Sequence, residues 1–102
     1  MTQRFSNDYG ACHITALPGC PQVAVSHGVF VLPEHRRKGH GDKNHKLRLK
    51  RMKDLHYDYA VCTVATHNLA EKKNLEDNGW YKLDSFVSSN TLYGVELWGK
   101  EL

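Results

Sequence analysis

Apolar and β-branched residues fall in short blocks along this chain, separated by stretches rich in glycine, proline or charge. Residues 10–17 (Gly-Ala-Cys-His-Ile-Thr-Ala-Leu) predict a strand closed by the turn Pro18-Gly19-Cys20-Pro21. Residues 22–31 are β-branched and largely apolar and predict a well-buried strand. The two-residue period puts Val23, Val25, His27, Val29 and Val31 on one face of it. Pro33 lacks an N–H and ends the pairing. A tight segment follows, and then a helix to about Leu55, in which Leu49, Met52 and His56 line up with His45 and six bases occupy the remainder. Residues 57–65 predict a strand that can pair in parallel, because a helix precedes it. Asn68, with Glu71 three residues on, caps the next helix, which Asn78-Gly79 should end in a left-handed turn. Residues 80–87 and 91–98 predict two final strands around Ser88-Ser89-Asn90. The predicted order is β-β-α-β-α-β-β, an α/β domain with a mixed sheet.

Composition narrows this picture. A chain of 102 residues, 40% hydrophobic and 25% charged, suits one small domain with a single core. Apolar runs of about 18 residues, the length needed to span a bilayer, are absent, and the first eight residues lack the apolar centre of a signal peptide. Cys12, Cys20 and Cys62 are an odd number without a C-x-x-C pair, which fits a reducing cytoplasm better than a disulfide scaffold or a zinc knuckle. The seven histidines show no metal-ligand spacing with a third ligand, so no metal is expected.

Charge changes the picture more. Residues 34–53 hold nine bases against Glu34 and Asp42, a net +7, while the rest of the chain holds five bases against nine acids, a net −4. Such a block calls for an anionic partner. Within it, Arg36-Arg37-Lys38-Gly39-His40-Gly41 joins the end of a buried strand to the start of a helix. Closely spaced glycines allow backbone N–H groups to approach a ligand, and a helix N-terminus favours phosphate oxygens. These residues predict a pyrophosphate cradle. Neither the P-loop pattern nor the dinucleotide fingerprint G-x-G-x-x-G is present.

The pattern R-x-x-G-x-G after a strand ending near Val-x-x-Pro resembles the signature of the GNAT superfamily, the Gcn5-related N-acetyltransferases. Asn68 after the following strand, with Gly79-Trp80 eleven residues on, extends the likeness, which spans about Val23 to Trp98. The resemblance implies a mixed, mostly antiparallel sheet with a splayed central strand pair and two main helices. It implies one minimal domain over 1–102, with an N-terminal strand and turn (1–22) ahead of an acetyl-CoA-binding core (23–98). It further implies that Arg36, Arg37, Lys38, Gly39, His40 and Gly41 hold the acetyl-CoA pyrophosphate, that the Phe30 and Val31 backbone pairs with the pantetheine arm, and that Asn68 contacts the cofactor. Asn68 as a plain helix cap is a compatible reading.

The chain also departs from the family pattern. Leu75 stands where many relatives carry a tyrosine that protonates the leaving thiolate, and Val25-Ser26-His27 stands where a glutamate base is common. Asn44 and His45 replace leucines early in the helix, and the N-terminal helix pair is missing. His27 is the candidate general base, since an imidazole near neutrality can accept an ammonium proton; the alternative is a half-buried histidine satisfied by a backbone group. Cys62 reads as packing rather than as a nucleophile. The helix bases 43–53 stay open between solvent, the CoA 3′-phosphate and nucleic acid, and no interleaved aromatics support the last.

The reading is an acetyl-CoA-dependent N-acetyltransferase that acts on an amine. A protein lysine or N-terminus fits better than a metabolite, because the reduced fold encloses a small acceptor poorly. An open acceptor site leaves room for completion by a second subunit in a homodimer. Compact members of this kind resemble those encoded by bacteriophages, which implies work in a host cytoplasm. The alternative is a catalytically weak GNAT-fold binding module that acts on a protein or nucleic-acid partner.

Overall fold

The computed structural model describes residues 2–7, 10–31 and 40–102. In chain order the elements are β1 (Thr2–Asn7), β2 (Gly10–Leu17), β3 (Cys20–Val31), α1 (His40–Asp54), β4 (Tyr59–Ala65), α2 (Leu69–Asp77), β5 (Tyr81–Val87) and β6 (Gly94–Glu101). The strands form one six-stranded sheet in the order β1-β2-β3-β4-β6-β5, in which only β3 and β4 run parallel. This is the expected mixed, mostly antiparallel sheet with two helices. Neither helix is long and apolar enough to cross a membrane.

β1 corrects the expected order, which began with the strand at 10–17. Its sequence Thr-Gln-Arg-Phe-Ser-Asn offers one large apolar residue, so its strand state comes from pairing with β2, Phe5 opposite Cys12, rather than from its own pattern. Phe5 packs against the core, and the Arg51 guanidinium lies 4.4 Å over its ring.

β6 also departs from expectation, starting at Gly94 instead of 91. The connection after β5 closes through Leu92 N–H to Ser88 C=O and Ser88 N–H to Tyr93 C=O, with Leu92 at a φ of 62°, so it consumes residues assigned to the strand. α2 behaves as read. Asn68 Oδ1 accepts the Glu71 N–H at 3.2 Å, and Gly79 adopts a φ of 85° just past the helix end.

The core lies between both helices and one face of the sheet. Ile14, Ala24, Ala60, Cys62, Val64 and Trp98 rise from the strands to meet Leu49 and Met52 of α1, Leu75 of α2, and Trp80. Among the described side chains of β3, Ala24 and Ser26 are buried, while Val23 and Val25 on its other face are half-buried. The alternation expected from Val23 to Val31 is seen over Val23, Val25 and His27, and the side chains of Val29 and Val31 lie outside those described. A bulge then sets His13 opposite His27 but Ala11 opposite Phe30.

α1 corrects the sequence reading more sharply. Among its described side chains Asn44, His45, Arg48, Leu49 and Met52 are buried, so Arg48 belongs to the interior and not to the basic outer face. Leu47 is exposed, and His56 lies beyond the helix at a φ of 65°. Of the outer bases, Lys46 pairs with Asp42, Lys50 pairs with Asp54 at 3.0 Å, and Arg51 covers Phe5.

Candidate active site in the strand fork

β3 and β4 share only three rungs, Val23 with Tyr59, Ala24 with Ala60 and Val25 with Val61. Both strands then continue without pairing to each other, β3 to Val31 and β4 to Ala65. The sheet therefore splays at its parallel junction, as expected. Backbone groups on the facing edges lose their ladder partners there, and an extended ligand can take their place. Phe30 and Val31 lie on the β3 arm of this fork, held from behind by backbone pairing with Ala11 and Gly10.

A cavity of about 250 Å³ occupies the fork. Ser26 and His27 of β3, Cys62 through Ala65 of β4, the cap Asn68 and Glu71 of α2, and Arg48 of α1 line it. Two sequence candidates, His27 and Asn68, thus meet across one space although 41 positions separate their numbers. A second cavity, about 280 Å³, lies between α1 and the β1–β2 edge, with Arg48 on the wall common to both.

His27 is more exposed than a half-buried core residue, and side chains rather than the backbone satisfy it. Its Nε2 lies 2.7 Å from Thr15 Oγ1, and its ring stacks on His13 with centroids 5.5 Å apart. Thr15 Oγ1 continues to Thr2 Oγ1 at 2.9 Å, so the imidazole joins a hydroxyl chain that leads outward.

Asn68 is anchored firmly. Lys72, one turn into α2, donates to Thr66 C=O at 3.2 Å and pairs with the buried Glu96 at 3.0 Å. Glu96 also accepts the Trp98 indole N–H at 3.1 Å. The Lys72 bond, with the Trp98 bond after it, holds the Glu96 carboxyl below the usual carboxylate range.

Arg48 is the residue the sequence reading missed. Its side chain is 1% exposed and faces Glu71 Oε1 at 3.6 Å. It also reaches Nδ1 of the buried His45. The signal lay in spacing: 44, 48 and 52, with 45 and 49, repeat every four residues and define one face of a helix, but charge disguised it. Burial pushes the neighbouring Cys62 thiol up to about 12, eased only in part by Arg48, so this sulfur stays protonated and poorly nucleophilic.

Leu75, at the position of the usual acid, is fully buried in the core and does not border the cavity. Arg36, Arg37, Lys38 and Gly39 lie outside the described residues. His40 and Gly41 open α1, whose first-turn N–H groups have no intrahelical acceptors. Asn78 donates to Asp42 Oδ1 at 2.9 Å and so ties that first turn to the end of α2. Among the described residues no group of three metal-ligating side chains converges.

No protein-family model matches the sequence, and no curated protein does either. The fold, by contrast, recurs among solved structures. An IAA acetyltransferase from Bacillus cereus superposes with a TM-score of 0.79 over 99% of this chain and 77% of that one, at 10% identity. A Bacillus subtilis acetyltransferase in complex with CoA gives 0.79 over 96% and 73%, at 12% identity. A GCN5-related N-acetyltransferase from Kribbella flavida gives 0.81 over 92% and 60%, at 15% identity. At these identities the likeness is one of fold.

Proposed function

We propose that this chain, which has the fold of the GNAT acetyltransferases, moves an acetyl group from acetyl-CoA to an amine as a single domain spanning residues 1–102. The observation that carries the reading is the fork: a parallel strand pair that opens after three rungs, with a cavity at its base and a helix N-terminus beyond its arms. The donor fits this site. An extended pantetheine chain suits the unpaired strand edges, and its phosphates suit the start of α1 with Arg36, Arg37, Lys38, Gly39, His40 and Gly41. When bound, acetyl-CoA supplies an activated acyl thioester.

The protein's own part is to orient and to handle protons. The Phe30 and Val31 backbone aligns the donor along β3, and Asn68 faces it from the start of α2. His27 takes a proton from the acceptor ammonium, which frees the amine lone pair for attack, and passes that proton toward Thr15, whose hydroxyl already meets its Nε2. Placing the amine against the carbonyl carbon supplies most of the rate, so a strong base is not required. The acceptor we favour is a protein lysine or N-terminus, because no helix among the described residues covers the face of the sheet that carries Val23, Val25 and His27.

Calorimetry with CoA and a thiol-release assay with lysine peptides test the reading. Tight CoA binding is expected for the wild type and its loss for Gly41→Asp, which puts a carboxylate where the phosphates would sit. Unchanged CoA binding in that variant overturns the cradle.

A second reading has one observation in its favour. Leu75 is core rather than site, so position 75 supplies no acid to the cavity. A binding module that retains CoA without turnover fits that fact, and CoA binding with no thiol release on any amine would select it.

A further inference from the structure

Two residues that line the fork cavity each carry a buried polar atom with no partner among the described residues. One is the Ser26 hydroxyl, on a residue 3% exposed, and the other is Nε of Arg48, whose side chain is 1% exposed. Leaving a buried donor unmet costs roughly 1–3 kcal/mol. An alanine at 26 would fill most of the same space without that cost, so packing does not explain the serine.

Charge decides what these donors suit. On the cavity wall the Arg48 guanidinium already faces the Glu71 carboxylate. The cavity is thus close to balanced in charge but unfilled in hydrogen bonding. A carboxylate or phosphate would bring a charge with no counterpart, whereas a carbonyl oxygen needs only donors. Position agrees, because Ser26 and Cys62 are the first residues past the last β3–β4 rung, at the base of the fork. A chain threaded between the arms ends there.

We infer that the Arg48 Nε–H and the Ser26 hydroxyl hold the carbonyl oxygen of the acyl thioester. This rests on the CoA reading above. As the amine nitrogen bonds to the carbonyl carbon, the π electrons move to oxygen, and both donors meet the charge that develops there. When the carbonyl re-forms, the carbon–sulfur bond breaks and sulfur leaves with its electron pair. The amine's proton passes to His27 or water, and the thiolate is reprotonated from water. Arg48 keeps its proton throughout and acts as a fixed electrophile.

The test needs no acceptor amine. Infrared spectra of acetyl-CoA labelled with carbon-13 at the carbonyl, free and bound to the full chain, report the polarisation of that bond. A shift of the bound band to lower wavenumber is expected for the wild type and its return toward the free value for Ser26→Ala and Arg48→Lys. The preference for acetyl-CoA over CoA should fall about fivefold in Ser26→Ala, the worth of one hydrogen bond, with CoA affinity unchanged. Thermal stability of Ser26→Ala should match or exceed wild type, because an unmet hydroxyl is removed, so this variant reads out even if Arg48→Lys fails to fold. A bound band that is unshifted, or unmoved by Ser26→Ala, overturns the inference while the CoA reading survives. Failure of the wild type to bind either CoA or acetyl-CoA overturns both.

Discussion

The indole N–H of Trp80 lies 2.7 Å from Nε2 of His45, joining the residue before β5 to the buried face of α1. From the other side the Arg48 guanidinium reaches Nδ1 of the same ring. Both neighbours are obligate donors, and a neutral imidazole has one bare nitrogen, so His45 can accept fully from only one of them. A protonated ring would satisfy neither. Burial first, and then Arg48, push its pKa down to about 3.

Acid sensitivity follows from that arrangement. The unfolded imidazole titrates near 6.5 and the folded one near 3, so between those values the unfolded chain binds the extra proton. This contribution is whole above pH 6.5 and is lost as pH falls, at up to about 1.4 kcal/mol per pH unit. Asp42 and Glu96 are also held below their ordinary values, so their losses begin only at lower pH. Urea midpoints should therefore fall between pH 6.5 and 5 in the wild type. In His45→Gln, which keeps an acceptor but cannot titrate, they should stay flat over that interval.

Gly99 permits a contact across the sheet that no larger residue would. A Cβ there would stand 2.3 Å from the Tyr59 hydroxyl and 2.9 Å from Leu83 Cδ1, in the space where Tyr59 and Tyr81 join their hydroxyls. Gly99→Ala should cost about 1–3 kcal/mol, typical of overpacking. Adding Tyr59→Phe should recover part of the loss by removing the closest atom, and denaturant titration of the single and double variants measures both.

Asn68 serves as a cap and stands on the cavity wall, and these roles separate by substitution. Asn68→Ala should lower stability by about 1 kcal/mol, while Asn68→Asp should keep it, because a carboxylate oxygen can accept the Glu71 N–H equally well. If the side-chain amide also contacts the donor, Asn68→Asp should bind CoA more weakly than wild type at undiminished melting temperature. Calorimetry beside thermal unfolding distinguishes the two.

Restoring a tyrosine at 75 should not restore an acid. The Leu75 side chain is fully enclosed by the core, and the larger ring would overpack it at a cost of about 1–3 kcal/mol. A lower melting temperature with no gain in thiol release is expected. A rise in the release rate would show that the ring reaches the fork.

Much of this protein was legible in order along the chain. Strand and helix periodicity, the parallel β3–β4 pair, the Asn68 cap and the Gly79 turn are properties of short windows, set by backbone preference and by the next few residues. The expectation of a basic lip before α1 comes from charge and glycine spacing alone, and Arg36 to Gly39 lie outside the described residues. β1 was not, because a polar strand becomes one only when β2 supplies its ladder. Arg48 and Ser26 were not either. Charge and polarity place such residues outside by default, and only the closing of α1 over the fork, with Glu71 brought across from α2, makes a buried guanidinium tolerable. Most of the local elements follow from the sequence by itself. Which polar groups are enclosed and left unmet depends on long-range packing, so the tertiary structure alone decided them.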